Sequence, residues 1–170
     1  MFRAFENLPS DAVYDTLDSP VGRLTLVASG EGLHALAWAR DGDDVELVAR
    51  RSPRHPVLAS ARAQLREYFA RKRRAFDLPL APRGTAFQLR AWRELSKIPY
   101  GTTISYGEQA RRVGDARKAR AVGTANGSNP LSIIVPCHRV IASTGALTGF
   151  GGGLANKRYL LDLEATEGGR

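Results

Sequence analysis

Cys137 is the only cysteine of this 170-residue chain, and it lies in the sequence Pro136-Cys137-His138-Arg139. A lone cysteine is most often a small buried hydrophobic residue. Here the next residue offers an imidazole that can accept a proton, and the one after it carries a positive charge. Both favour the thiolate, which is the nucleophilic form of cysteine. The residue types therefore indicate a nucleophile, with a buried structural cysteine as the alternative.

The elements around this cysteine set its expected geometry. The apolar run 131–135 predicts a β-strand that ends at Pro136, so that Cys137 lies where the chain leaves the sheet. Consecutive side chains of extended backbone point to opposite faces, so we expect a water relay between thiol and imidazole rather than direct contact. His138 also needs a partner that fixes its tautomer, and Glu164 on the last predicted helix is a candidate.

The charge of the chain indicates a polyanionic partner. The formal net charge is +8, although an arginine-rich composition can produce such a value without any such role. Residues 86–170 carry 12 basic and 6 acidic groups, against 13 and 11 in residues 1–85. The excess therefore lies in the half that contains the cysteine motif.

Several classes of protein are excluded by composition. One cysteine cannot form an internal disulfide or a multi-thiolate zinc site, and His34, His55 and His138 lack metal-ligand spacing. We therefore expect no metal. No apolar run approaches the roughly 18 residues that span a bilayer, and the N-terminus lacks the layout of a signal peptide. These features predict a cytoplasmic protein without a membrane segment.

Residues 1–82 read as an α/β domain. Strands are predicted at 12–17, 22–28 and 32–39, in an antiparallel meander, followed by a helix over 56–72. A shorter helix is predicted over 43–51. The basic run 71–74 is interpreted as a solvated helix end in preference to a phosphate contact. The Pro-rich stretch 78–84 predicts a linker, and the domain boundary is placed after residue 82.

Residues 83–170 read as short helices. A capping box at Thr85 opens the first, and helices over 105–113 and 115–126 are joined at Gly114 in the layout of a helix-turn-helix. The small residues of the second helix suit either a DNA groove or a packed neighbour. A glycine-rich loop over 145–153 precedes a closing helix over 156–166, whose predicted buried side chains are Tyr159, Leu160 and Leu163.

Several motifs together resemble the O6-alkylguanine-DNA alkyltransferases, also called methylated-DNA–protein-cysteine methyltransferases. The resemblance covers residues 85–165 and is weaker but compatible over the first 80. The matching motifs, in the order and spacing of that family, are Phe87-Gln88 with Trp92, Ile98-Pro99-Tyr100-Gly101, Ser105-Tyr106-Gly107, Ala119-Arg120-Ala121-Val122-Gly123, Asn129-Pro130, Ile133-Ile134-Val135-Pro136-Cys137-His138-Arg139-Val140-Ile141, Gly149-Phe150-Gly151-Gly152-Gly153-Leu154, and Lys157 with Leu160-Leu161 and Glu164.

The resemblance implies a fold and a function. Residues 1–82 are expected to form a ribonuclease-H-like α/β domain with an antiparallel sheet. Residues 83–170 are expected to form a mostly helical, winged-helix-like domain that carries the helix-turn-helix and the alkyl acceptor. The implied activity is a single, irreversible transfer of the alkyl group from O6-alkylguanine in duplex DNA, with O4-alkylthymine as a second candidate substrate.

The resemblance also implies residue roles in the reaction. Cys137 would accept the alkyl group, and His138, supported by Glu164, would withdraw the thiol proton through a water. Tyr106 would donate a proton or hydrogen bond to the departing guanine and help to rotate the nucleotide. Arg120 would replace the flipped base in the stack, and Asn129 would brace the active-site turn.

Further positions follow from the same resemblance. Ala119, Gly123 and Ser143 would contact DNA, and the base pocket would be formed by Val140, Phe150, Gly151 and Gly152. Phe150 stands where many relatives have tyrosine. The N-terminal zinc ligands of some relatives are missing here. The protein is expected to be monomeric when free, with cooperative assembly on DNA left open.

Other interpretations compete with these. Tyr106 could simply pack in the first turn of its helix, and Glu164 could pair with Lys157 or Arg158 on its own helix. The whole chain could be a DNA-binding module without alkyl transfer, but relatives of that kind replace the cysteine. A cysteine hydrolase would need an oxyanion hole, and no motif suggests one.

Overall fold

The computed structural model describes residues 5–38, 45 and 48–165. The chain divides into two compact units, Met1–Arg83 and Gly84–Arg170. None of the helices within the described residues is long and apolar enough to cross a membrane.

The first unit contains a four-stranded sheet in the order β3-β2-β1-β4. Strands β1 (Val13–Ser19), β2 (Gly22–Ser29) and β3 (Gly32–Trp38) pair antiparallel, whereas the short β4 (Arg50–Arg51) runs parallel to β1. Gly32 opens β3 with a φ of 137°, a conformation that favours glycine. The predicted antiparallel meander is confirmed.

Both faces of this sheet are covered. Helix α1 (Pro56–Phe69) packs on one face through Leu58, Ala61, Leu65 and Tyr68, and it contacts β1, β2 and β3. Val27 of β2 lies in the second cluster of buried side chains, which consists of Phe5, Ala12, Tyr14, Val27, Ala35, Ala37 and Val45. The alternation of β2 therefore separates two apolar cores, not a core and a solvent face.

Two helix predictions in this unit are wrong, one at its end and one in its secondary structure. Helix α1 ends at Phe69 instead of Lys72, and Arg71 adopts a φ of 60° that a helix cannot continue. The predicted helix over 43–51 is wrong at Arg50 and Arg51, which form β4. These two residues are extended because they pair with β1. Residues 43, 44, 46 and 47 lie outside the described residues.

The second unit is mainly helical. It contains α2 (Ala86–Ser96), β5 (Ile104–Ser105), α3 (Tyr106–Val113), α4 (Ala119–Gly127), β6 (Val140–Ile141) and α5 (Leu154–Glu164), with β5 and β6 parallel. The capping box of Thr85 and Gln88 is present. The Ser105 hydroxyl caps α3 by accepting from Glu108 N. Helices α3 and α4 form the predicted helix-turn-helix, with Gly114 at a φ of 123° between them.

The predicted strand over 131–135 is wrong. This segment is a buried succession of turns, in which Val135 N donates to Leu131 O at 2.8 Å and Ile133 takes a φ of 74°. Its side chains are all buried, so the apolar run reflects burial on every side and not a sheet. Residues Cys137–Arg139 then form a 3₁₀ turn.

Helix α5 buries a different set of residues from the one predicted. Leu160 and Leu163 are buried as predicted, but Tyr159 is exposed and Lys157 is fully buried. Positions 157, 160 and 164 share one face at helical spacing, and position 159 lies off that face. Residue 166, the predicted end, lies outside the described residues.

Candidate active site

Cys137 begins the 3₁₀ turn and is almost completely buried. Asn129 holds the segment that precedes it, because its Nδ2 donates to Val135 O at 2.8 Å and its Oδ1 accepts from Leu131 N at 3.0 Å. The turn itself is closed by Arg139 N, which donates to Pro136 O. The position of the thiol is therefore set by a buried amide side chain and local backbone bonds.

The surroundings of the thiol favour its protonated form at rest. Burial raises the pKa of Cys137, while Asn129, Lys157 and Ser132 act in the opposite direction and lower it. A buried thiol of this kind needs a base before it can attack. The nearest candidate along the chain is His138.

His138 and Glu164 form a buried pair. His138 Nε2 lies 2.8 Å from Glu164 Oε1, and both side chains are essentially inaccessible to solvent. Burial lowers the pKa of His138, against the opposing influence of Glu164. Burial alone would raise the pKa of Glu164, but hydrogen bonds from His138 and Arg139 outweigh it and lower the pKa to about 2.

These pKa directions define the tautomer of the imidazole. Ionised Glu164 only accepts hydrogen bonds, so Nε2 of neutral His138 carries the proton and donates it. The other nitrogen, Nδ1, is then an acceptor, and it is buried without a hydrogen-bond partner in the described part of the chain. The pair therefore presents a free basic nitrogen one residue from the thiol.

Arg139 does not act as the sequence suggested. Its Nε and Nη2 donate to the two oxygens of Glu164 at 2.9 and 2.8 Å, and its Nη1 donates to Ile98 O at 2.7 Å. Its charge is therefore committed to Glu164 and does not serve the thiol. Sequence spacing could not reveal this, because the two partners are 25 residues apart.

Lys157 is a site residue that the sequence placed only in a matching motif and as an alternative partner of Glu164, with no role at the thiol. Its side chain is fully buried, and Nζ donates to Val140 O at 2.7 Å and to Thr148 O at 3.0 Å. It is also the charged group that lowers the pKa of Cys137. The helical spacing of Lys157, Leu160 and Glu164 was the available signal, since a lysine on the buried face of a helix is rarely without a role.

Tyr106 lies at the first position of α3, beside the glycine-rich loop. Its hydroxyl donates to Thr148 O at 3.2 Å, so Thr148 O accepts from both Tyr106 and Lys157. The Cα of Gly123 on α4 faces the Tyr106 ring, where an added Cβ would be in ordinary van der Waals contact at 3.7 Å. The loop, α3 and α4 thus meet around Tyr106.

The remaining predicted site residues lie on α4 and on the segment between β6 and α5. Arg120 is exposed in the first turn of α4, next to the partly buried Ala119. Ser143 and Gly151 are exposed on the loop, whereas Phe150 and Gly152 are partly buried. The loop is tied to α5 by Asn156 Nδ2, which donates to Gly152 O at 2.8 Å.

A buried polar network fixes the helix-turn-helix. Gln109 of α3 and Asn126 of α4 exchange two hydrogen bonds at 2.9 and 2.7 Å, and Trp92 Nε1 of α2 donates to Ala125 O at 2.8 Å. Sequence reasoning assigned no such role to Gln109 or Asn126, because a polar residue inside an amphipathic helix normally faces solvent. Among the described residues, no cluster of His, Cys, Asp or Glu could hold a metal ion.

A buried cysteine beside a carboxylate-held imidazole, in a unit built around a helix-turn-helix, defines a DNA-binding protein with a nucleophilic thiol. Two family models match the chain. The ribonuclease-like domain of 6-O-methylguanine DNA methyltransferase matches residues 12–82, and the DNA binding domain of 6-O-methylguanine DNA methyltransferase matches residues 86–166.

Whole proteins match as well. A methylated-DNA–protein-cysteine methyltransferase of Mycobacterium tuberculosis is 48% identical over 151 residues, which cover 89% of this chain and 91% of the relative. One of Methanosarcina acetivorans is 42% identical over 153 residues, covering 90% and 98%. The crystal structure of Mycobacterium tuberculosis OGT in complex with DNA superposes with a TM-score of 0.83 at 47% identity, over 92% of this chain and 94% of that one.

The chain therefore belongs to the 6-O-methylguanine DNA methyltransferase family. This confirms the resemblance drawn from the motifs and the expected fold, an antiparallel-sheet N-terminal domain followed by a helical DNA-binding domain.

Proposed function

We propose that this protein repairs DNA by direct reversal, with Cys137 as the acceptor of the alkyl group. The protein is a methylated-DNA–protein-cysteine methyltransferase, and DNA is its partner. One observation carries the assignment to this residue. Glu164 binds Nε2 of His138 and leaves its Nδ1 without a hydrogen-bond partner among the described residues, and His138 directly follows the only cysteine of the chain. Residues 1–82 form its ribonuclease-like domain and residues 83–170 its DNA-binding and acceptor domain.

The reaction begins with a proton transfer. The thiol proton of Cys137 passes to Nδ1 of His138, directly or through one water, and the imidazolium that forms is stabilised by ionised Glu164 on its other side. The thiolate then attacks the O6-bound carbon of the alkyl group. A carbon–sulfur bond forms, the carbon–oxygen bond breaks, and its electron pair stays on the guanine.

Tyr106 assists the departure of the base. Its hydroxyl releases Thr148 O and donates to the guanine, which neutralises the negative charge that develops on the ring. The base pocket consists of backbone groups at Val140, Gly151 and Gly152 together with the ring of Phe150. Phenylalanine at that position packs against the base but provides no hydroxyl contact.

The damaged base must leave the duplex to reach a buried thiol, at a cost of a few kcal/mol. Arg120, exposed at the start of α4, enters the vacated stack and stays close to the phosphates. The small side chain of Ala119 and the absence of one at Gly123 allow α4 to approach the DNA closely, and Ser143 contacts the DNA backbone. Asn129 keeps the turn before Cys137 in place while the nucleotide binds.

The protein acts once. A thioether has no easy hydrolytic exit, and the chain contains no second cysteine to receive the alkyl group. O6-alkylguanine in duplex DNA, mainly O6-methylguanine, is the proposed substrate, with O4-alkylthymine as a second candidate, and no cofactor is required. The free protein is proposed to be a monomer, and cooperative assembly on DNA and a cytoplasmic location stay predictions.

The experiment is a stoichiometric transfer assay with duplex DNA that contains radiolabelled O6-methylguanine. We expect label on the protein up to one equivalent, on the peptide that contains Cys137, and none with Cys137→Ser. Turnover beyond one equivalent, or label on another residue, would contradict the mechanism. DNA binding without any transfer would favour the non-catalytic DNA-binding module.

A second assay separates base flipping from chemistry. Arg120→Ala should slow repair of duplex DNA much more than transfer from free O6-benzylguanine, which needs no flipping. Equal losses on both substrates would remove Arg120 from the flipping role.

A further inference from the structure

The positive charge of the N-terminal unit is concentrated in one stretch. Residues 50–76 contain nine Lys or Arg residues and one acidic residue, and their formal charge of +8 equals that of the whole chain. Residues 1–49 contain three basic and nine acidic residues. When the charge is summed over residues 1–85, this acidic stretch offsets the basic one. A general richness in arginine would scatter the charge along the chain. This local excess lies outside the helix-turn-helix.

Contacts within the unit bring the first of these side chains together beside α1. Arg51 Nε and Arg62 Nη1 both donate to the carboxylate of Asp15, at 3.2 and 2.6 Å. Arg62 Nη2 also donates to Pro53 O at 2.8 Å, next to Arg54. Arg66 follows Arg62 by one helical turn.

The basic run after α1 folds back onto the last turn of the helix. Arg71 N donates to Tyr68 O, Lys72 N donates to Glu67 O, and Arg73 Nε donates to Glu67 Oε2 at 2.6 Å. We call eight of the nine basic side chains the α1 basic surface; its members are Arg51, Arg54, Arg62, Arg66, Arg71, Lys72, Arg73 and Arg74.

Several members of the α1 basic surface are available to an external anion. Arg54, Arg66, Arg71 and Lys72 are exposed, and within the described residues none of their side chains has a carboxylate partner. Asp15, the acidic residue shared by Arg51 and Arg62, is buried beneath the surface.

Helix capping explains only part of this charge. Cations in the last turn complement the negative end of the helix dipole, and the effect fades beyond that turn. Arg54 precedes Pro56, the first residue of α1, and so lies near the positive end, where a cation is unfavourable. The helix dipole therefore does not account for the charge of Arg54.

We infer that the α1 basic surface binds the phosphate backbone of duplex DNA, as a contact separate from α4. Helix α1 has 14 residues and is therefore about 21 Å long, which equals the axial rise of about six base pairs of duplex DNA. Phosphate contacts carry no sequence information, so they suit a protein whose lesion can lie anywhere. The inference rests on DNA as the partner and is independent of alkyl transfer.

The test measures the salt dependence of binding to undamaged duplex DNA by the full-length protein. Two double variants remove charge from the surface: Arg54→Gln with Arg66→Gln, and Arg71→Gln with Lys72→Gln. The matched control, Arg23→Gln with Arg83→Gln, removes the same charge from the same unit at side chains that pair with Asp18 and Glu31.

Each lost phosphate contact reduces the slope of log K against log salt by about 0.9. We therefore expect each surface variant to reduce the slope by about 1 to 2, the control to leave it unchanged, and Arg66→Lys to retain it. Transfer from free O6-benzylguanine should be unaffected in every variant, which shows that the fold is intact. If the protein transfers no alkyl group at all, the proposed function fails but the slopes still decide this inference.

Equal slopes in the surface variants and the control would overturn the inference. So would a change in self-association, measured by sedimentation without DNA, that leaves the DNA slope unchanged. That result would assign the surface to the acidic side of a second copy of the chain.

Discussion

Each unit of this protein buries a carboxylate between two basic side chains, and the two sites differ in one partner. Asp15 in the first unit binds Arg51 and Arg62, whereas Glu164 in the second binds Arg139 and His138. Arginine stays charged at every relevant pH, so the Asp15 cluster can only join β1, β4 and α1. Histidine can take up and release a proton, so the Glu164 cluster can also support chemistry.

Glu164 contributes both to stability and to reactivity. Arg139 neutralises Glu164 from one side and keeps it ionised, and this frees His138 from having to be charged. The imidazole can then remain neutral and basic inside the protein. Removing either carboxylate should lower the free energy of unfolding, but only the removal of Glu164 should slow alkyl transfer.

The largest expected effect comes from Glu164→Gln. It leaves Arg139 buried without its counter-charge and His138 without its orienting acceptor, so we expect a loss of about 3–5 kcal/mol in the free energy of unfolding. Urea denaturation measures the stability, and single-turnover transfer from O6-benzylguanine measures the rate per folded molecule, which should also fall sharply.

Asp15→Asn is the matched control. It should also destabilise the fold, by less because Arg51 is 61% exposed, and should leave the transfer rate of the folded protein unchanged. A loss of rate in Asp15→Asn equal to that in Glu164→Gln would remove the distinction between the two clusters.

His138→Gln tests the proton transfer directly. Loss of a positioned general base should slow transfer by about 10²- to 10⁴-fold near pH 7. The rate should recover in part as the pH rises, because the thiolate then forms without help. A variant rate that is both near wild type and independent of pH would exclude His138 as the base.

The acid side of the stability curve should show both titrating groups. The pKa of His138 in the folded protein lies below its ordinary value of 6.5. The free energy of unfolding should therefore not depend on His138 above pH 6.5 and should decrease as the pH falls below that value. The folded pKa of Glu164 is about 2 against an ordinary value of 4.5, so about 3 kcal/mol should be lost between pH 4.5 and 2. Urea denaturation at a series of pH values measures both, and Glu164→Gln should flatten the lower part.

Lys157→Met tests the charge that lowers the pKa of Cys137. Removing a cation that favours the thiolate should shift the pH–rate profile for O6-benzylguanine to higher pH and slow transfer at pH 7 by about tenfold. Lys157→Arg keeps the charge and should retain part of the rate. If the pH–rate profile of Lys157→Met is not shifted, the role of Lys157 is structural, through its hydrogen bonds to Val140 O and Thr148 O.

The smallest expected effect belongs to the exposed arm of the Asp15 cluster. Arg51→Gln should cost less than about 1 kcal/mol, because an exposed ion pair contributes little. Arg62→Gln, at a side chain that is only 16% exposed, should cost more. Urea denaturation of the two variants ranks them, and a reversed order would show that exposure does not decide their contributions.

Much of the fold could be predicted because local rules determine it. The three antiparallel strands follow from alternation and glycine turns, and the capped starts of α2 and α3 follow from Thr85 and Ser105. The predictions that failed depended on distant neighbours. The run 131–135 is apolar because every side is buried, and Tyr159 is exposed because no other element covers its side of α5 among the described residues.

The candidate site divides in the same way. Residue type and short spacing were enough to predict the nucleophile, its adjacent imidazole and the motifs that identify the family. Which charge interacts with which group became visible only in the folded chain, where Arg139 binds Glu164 and Lys157 lowers the pKa of Cys137. Electrostatic interactions depend on distance and burial in space, and residues 20 and 25 positions apart in the sequence acquire both only when the chain folds.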